Sequence, residues 1–162
     1  MENNNFKRSV FIELTFLAGM MLTILPLPKW VVWYQPVWVF MILLFWMIAI
    51  PYQVGIGTAF TVGILLDLLT GTILGQHALI FTCLSYFFIR FQIIIHSLPA
   101  WQQMILVLIT TVVVYLALQY WIMLIVSSSL LTGEYWMPFI STTLLWPLLR
   151  FLLNDYQHFK LG

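Results

Sequence analysis

Long apolar runs, almost free of charge, limit what this chain can fold into. Six of them can be marked, at about 9–25, 36–51, 54–70, 74–95, 102–126 and 136–153. A bilayer's hydrocarbon core is about 30 Å thick and takes about 20 mostly apolar helical residues to cross, with a range of about 17–25. Each run falls at or near that length. Pro26 and Pro28 end the first run, and Pro36 and Pro51 bracket the second, because proline lacks the N–H that would continue a helix. In lipid every backbone N–H and C=O must be satisfied by the protein, so the runs are expected as helices and not as open strands. The expected fold is an all-α integral membrane protein, one transmembrane domain over residues 1–162. No linker, low-complexity tract or internal repeat divides it.

The composition agrees. Hydrophobic residues make up 63% of the chain and charged residues 7%, against about 25% charged in a soluble domain. So few charges cannot coat a globule of this size. The net charge of +1 offers no attraction to nucleic acid. A single cysteine, Cys83, rules out an intramolecular disulfide. Lys7 and Arg8 precede the first run as in a signal peptide, but "TILPLPKW" lacks a small-x-small cleavage site. An uncleaved first helix is expected. With both ends cytoplasmic, Lys7, Arg8, Arg90, Arg150 and Lys160 fall inside and only Lys29 outside, as the positive-inside rule requires. Trp30, Trp33, Tyr34 and Trp38 gather at one outer end, Tyr135 and Trp136 at another, and Trp101 at an inner one. Such rings anchor in the headgroup layer.

One carboxylate stands out. "GILLDLLTGTILG" at 63–75 sets Asp67 among leucines. In steps of four the third run reads Gly55, Ala59, Gly63, Asp67, Gly71. That ridge of small and polar residues permits close helix approach in a membrane. Either the ridge serves only helix packing, or Asp67 lines a functional cavity or partner groove. A carboxylate inside a bilayer costs about 2.5–3.5 kcal/mol on insertion scales, so it calls for a partner. In a tight hairpin between the third and fourth helices, His77 lies at the depth of Asp67. The two are expected to hydrogen-bond, helped by Thr70 or Gln76, with Gly71 and Gly75 in the connecting turn. The competing expectation is that His77 simply faces the outer headgroups. Glu13, about one turn inside the inner boundary, is expected to snorkel or to pair with a nearby base. Arg90 and Arg150 sit at inner helix ends, where they mark topology.

Catalytic motifs are missing. The chain has no G-x-x-x-x-G-K-[ST], no H-E-x-x-H, no cysteine pair and no G-x-S-x-G. "GIGTAF" at 55–60 lacks the third glycine of a dinucleotide loop, and Ser127, Ser128 and Ser129 form a polar turn. No enzyme activity, cofactor or metal site is expected. The loops are too short for a soluble domain, which leaves helix surfaces, a cavity between helices, or the loops themselves as places to act.

Four segments, "QPVWVFMILLFWMIAIP" at 35–51, "VGIGTAFTVGILLDLLTGTILG" at 54–75, "AWQQ" at 100–103 and "LLWPLL" at 144–149, resemble the MreD family of bacterial rod shape-determining membrane proteins. The resemblance covers nearly the whole chain, and Asp67 to Gly75 is its most specific part. It implies a multi-pass protein of the bacterial inner membrane, working in the cell-elongation machinery. It implies association with MreC, and through MreC with MreB filaments, RodA and its penicillin-binding transpeptidase. It also implies a six-helix bundle like the substrate-binding subunit of energy-coupling-factor transporters, whose pocket would fall near Asp67. Two functional classes therefore stand side by side. One is a scaffold that holds MreC's membrane helix, and the other is a small-molecule-binding carrier subunit. Helices four to six offer a carrier pocket only Gln76, His77, Ser85 and Gln119, few of the convergent polar groups such a site uses.

Overall fold

A computed structural model describes residues 2–26, 28, 34–50, 53–126 and 137–161. Six α-helices account for most of them: α1 (Glu2–Ile24), α2 (Trp38–Ala49), α3 (Ile56–Thr70), α4 (Gln76–Ser97), α5 (Ala100–Val126) and α6 (Met137–Leu161). Among the described residues there is no strand. The first and last helices run past their apolar segments, α1 back to Glu2 and α6 on to Leu161. Of the aromatics expected at the interfaces, Tyr34 and Trp101 are exposed and Trp38 is half-buried. Trp30, Trp33, Tyr135 and Trp136 lie outside the described residues, as do Lys29 and Ser127–Ser129.

Two stretches, Gln76–Ile95 and Trp101–Leu118, are long and apolar enough to cross a membrane by length and composition. The run at 36–51 behaves differently. Only 12 residues of it are helical, about 18 Å at 1.5 Å per residue. Pro36 stands just ahead of the helix, and Ile50 leaves helical geometry at φ −142°. This short helix is the centre of the protein: every residue from Val39 to Met47 is buried, as befits a helix that is apolar all round.

Helices α1, α4 and α6 pack on α2. Trp46 donates its ring N–H to Thr15 of α1 at 2.9 Å, and its ring meets Phe11 edge-on. Phe40 stacks on Phe81 of α4 with centroids 5.9 Å apart. The backbone N–H of Val37, just before α2, donates to Thr142 of α6 at 3.2 Å. Gln35 donates to the carbonyls of Leu22 and Thr23 at 2.8 and 3.3 Å, satisfying two acceptors that the end of α1 leaves open.

These contacts fix the directions. Leu22 meets Gln35 while Thr15 meets Trp46, so α1 and α2 are antiparallel. Asp67 meets His77, so α3 and α4 form a hairpin. Gln76 reaches Leu118 while Gln103 reaches Ile95, so α5 runs back along α4. Arg150 reaches Gln103, which makes α6 antiparallel to α5. The six helices alternate up and down, with the α3–α4 turn at one end and the α4–α5 turn at the other.

Candidate functional site

The α3–α4 connection is built around two glycines. Gly71 closes α3 in the left-handed region, φ +66°, and its N–H returns to the carbonyl of Asp67. The N–H of Thr72 reaches the same oxygen at 3.1 Å. Gly75 opens α4 with φ +95°. Side chains rarely adopt these angles, and glycine adopts them freely. The chain thus reverses within a few residues and brings the first turn of α4 beside the last turn of α3.

Asp67 fills the place this creates. It is fully buried, and four donors converge on its carboxylate. The N–H of Gly75 donates to Oδ2 at 2.8 Å. Oδ1 accepts from the N–H of His77 at 3.0 Å, from the Thr72 hydroxyl at 3.0 Å and from the His77 ring Nδ1–H at 2.7 Å. The residue preceding α4 is Gly75, which has no side chain to cap the helix. Asp67 does so from the neighbouring helix. It accepts two of the N–H groups that α4 cannot satisfy internally and sets negative charge against the positive end of its dipole.

The expected pair of Asp67 and His77 is therefore in contact, and the His77 ring also stands edge-on to Phe81, centroids 5.9 Å apart. The helper is Thr72, not the expected Thr70 or Gln76. Thr70 donates back to Leu66 at 2.7 Å and lies 3.1 Å from the Thr72 hydroxyl. Gln76, buried, points to the carbonyl of Leu118 on α5 at 3.5 Å. Thr72 sits one residue after the left-handed Gly71, where the sequence offers no side-chain signal beyond a hydroxyl near a turn.

The small-residue ridge divides. Ala59, Gly63 and Asp67 are buried. A Cβ on Gly63 would fall 2.6 Å from the backbone nitrogen of Ala78 and 2.9 Å from the carbonyl carbon of His77, so glycine is what lets α3 and α4 touch along their backbones. The two ends of the ridge do not pack in this way. Gly55 precedes α3 and Gly71 follows it, with open space around both.

A second polar centre, absent from the sequence expectations, ties the opposite end. Gln103 of α5 is buried. Its amide donates to the carbonyls of Ile95 and Leu98 at 3.1 and 3.2 Å, and its oxygen accepts from Arg150 of α6 at 2.6 Å. One side chain joins the end of α4, the start of α5 and α6. Arg150, expected only as a marker of topology, is part of that joint. Glu13 is exposed, and it lines a groove of about 420 Å³ between α1 and α3.

Chemically the Asp67 cluster is a closed structure. Four donors nearly exhaust the roughly four lone-pair positions of a carboxylate. Among the described residues no three His, Cys, Asp or Glu side chains are grouped to hold a metal ion.

Comparison with known proteins identifies the family. The family model described as "rod shape-determining protein MreD" matches residues 4–156. The chain belongs to the MreD family. A curated MreD of Haemophilus influenzae, named a rod shape-determining protein, is 31% identical over 141 residues, 83% of this chain and 84% of that protein. No solved structure matches the chain. MreD membership assigns the chain to the determination of rod shape, and both the saturated Asp67 cap and the Gln103 joint lie within the matched residues. Neither description names a catalytic activity.

Proposed function

We propose that this protein is a non-enzymatic, multi-pass scaffold of the bacterial inner membrane. In this role it holds MreC by helix packing and helps couple MreB filaments, RodA and its penicillin-binding transpeptidase to peptidoglycan synthesis. One observation carries the proposal: several polar side chains are buried between the helices while many large apolar side chains are exposed. Asp67, Gln76, Ser85, Gln103 and Thr111 are buried, while Tyr86, Ile93, Ile109, Leu116 and Phe151 are more than half exposed. In the two longest apolar stretches only 28% and 29% of the window is buried, so they are not core helices of a water-soluble globule. Exposed apolar faces are stable against lipid or against another membrane helix, and membership of the MreD family makes MreC the partner we propose.

The carrier alternative has less support. Of its four expected pocket residues, Gln76 reaches a backbone carbonyl, His77 is held by Asp67, and Ser85 donates to Thr82 in its own helix. The side chain of Gln119 lies outside the described residues. The test is purification of the full chain from membranes together with tagged MreC, alongside reporter fusions at both termini. The proposal requires co-purification and two cytoplasmic termini. Termini on opposite sides of the membrane, or no association with MreC, would refute it.

A further inference from the structure

The groove between α1 and α3 lies outside both the Asp67 cap and the Gln103 joint. It runs from Ser9 to Met20 on α1, about 16 Å at 1.5 Å per residue. The facing wall is Thr58, Thr61 and Leu65 of α3. Most of the lining is apolar or hydroxyl-bearing, and the polar groups collect at the Ser9 end. There Glu13 is exposed and, among the described residues, holds no hydrogen bond or ion pair. At the same end the Gln53 side-chain oxygen is buried without a partner. Both are acceptors, and one is a carboxylate. A buried acceptor without a donor is costly, and a carboxylate at the edge of a bilayer calls for a cation.

Shape narrows the occupant. Gly57 and Thr61 lie four apart on the exposed side of α3, on the same face of the helix. A Cβ on Gly57 would meet nothing within 4 Å, so the chain's own packing gives no reason for glycine in the first turn of α3. An incoming helix backbone does give one, because small residues at this spacing allow close approach in membranes. An acyl chain would need no such gap.

We propose that this groove docks a single membrane-spanning helix of a partner chain that carries a lysine or arginine near its cytoplasmic end. The basic group meets the exposed carboxylate of Glu13, while the helix lies along Leu17, Thr61 and Leu65. This deepens the scaffold proposal and rests on its membrane orientation.

The test uses the full chain in a Cys83→Ser background, co-expressed with MreC as the probe. Single cysteines replace Leu17 and Thr61 in the groove and Leu116 on the far helix α5, and are crosslinked to a cysteine scan of the MreC membrane helix. Docking predicts crosslinks from both groove positions with helical periodicity, and none from Leu116. Glu13→Gln should weaken co-purification by roughly three- to tenfold, the range of one interhelical polar contact. Gly57→Leu fills open space, so the protein folds as before, yet it should weaken association at least about tenfold. Crosslinks from the Leu116 face alone, or Gly57→Leu with undiminished association, overturn the groove while leaving the scaffold standing. Loss of all association in the unsubstituted protein overturns both. A phospholipid that copurifies and is lost in Glu13→Gln, without groove crosslinks, makes lipid the occupant and overturns the proposal.

Discussion

Replacing Asp67 with leucine tests whether the carboxylate is a cap. Leucine fits the volume but accepts nothing, so the N–H groups of Gly75 and His77 lose their acceptor, at present 2.8 and 3.0 Å away. A buried unsatisfied donor costs about 1–3 kcal/mol, which for two gives about 2–6 kcal/mol. The Thr72 hydroxyl adds little, since it is exposed and lies 3.1 Å from Thr70. The His77 ring loses a 2.7 Å bond but is 14% exposed and can turn toward water. Asparagine keeps one accepting oxygen and presents an amide N–H₂ on its other side. That group faces either Gly75 or His77, donor against donor, so one bond and the helix-terminal charge are lost. The cost should be about 1–3 kcal/mol. For a chain of this length 1 kcal/mol is about 2–4 °C in melting temperature. Melting followed by intrinsic tryptophan fluorescence in detergent micelles should therefore rank wild type above Asp67→Asn and Asp67→Asn above Asp67→Leu. The leucine variant should fall by roughly 5–20 °C. Rod-shape complementation should follow the same order. A leucine variant that melts with the wild type, or above the asparagine variant, would mean that the four converging donors do not hold the hairpin.

Other substitutions probe separate contacts by the same melt. Gly63→Ala places a methyl group against the α4 backbone, which cannot swing aside as a side chain can, and should cost about 1–3 kcal/mol. Gly57→Ala, in open space, should be neutral or stabilising by up to about 1 kcal/mol. A reversal of that pair would contradict the close approach of α3 and α4. Gln103→Leu removes the side-chain donor from the Leu98 carbonyl and from the Ile95 carbonyl, which keeps only the Leu98 N–H at 3.3 Å, and leaves Arg150 without this acceptor, so it should lose about 2–4 kcal/mol. Arg150→Met leaves only the Gln103 oxygen open and should lose less.

The helical runs were readable because so few charges interrupt them and because prolines punctuate them. Their ends were less so. Glu2 to Arg8 carry no apolar periodicity, yet α1 begins at Glu2, and the 36–51 run contains only the 12 residues of α2. Apolar composition alone does not separate a spanning helix from a short one buried on all sides. The contact of Asp67 with His77 was readable because it is local: ten residues apart, across a turn marked by two glycines. The rest of the cap was not. Two of its four donors are backbone N–H groups, which every residue but proline carries, and only the left-handed angles at Gly71 and Gly75 aim them. The joint of Gln103 with Arg150 spans 47 residues and has no local signature. A cation at an inner helix end satisfies the positive-inside rule whether or not it bonds to anything.

Asp67 and Glu13 are carboxylates in opposite settings, and their contrast ties the structure to the proposed role. Asp67 is buried, with four donors spread over its two oxygens and at most one lone pair to spare. Nothing further has to bind there for its burial to be stable, which is how an acid can sit among leucines at the cost that membrane insertion imposes. Glu13 is exposed, beside a groove, with no donor among the described residues. The first carboxylate is explained by this chain alone and the second is not. A scaffold recognises a partner with groups that its own fold leaves exposed and unpaired, so a contact surface is better sought at Glu13 than at the more conspicuous Asp67.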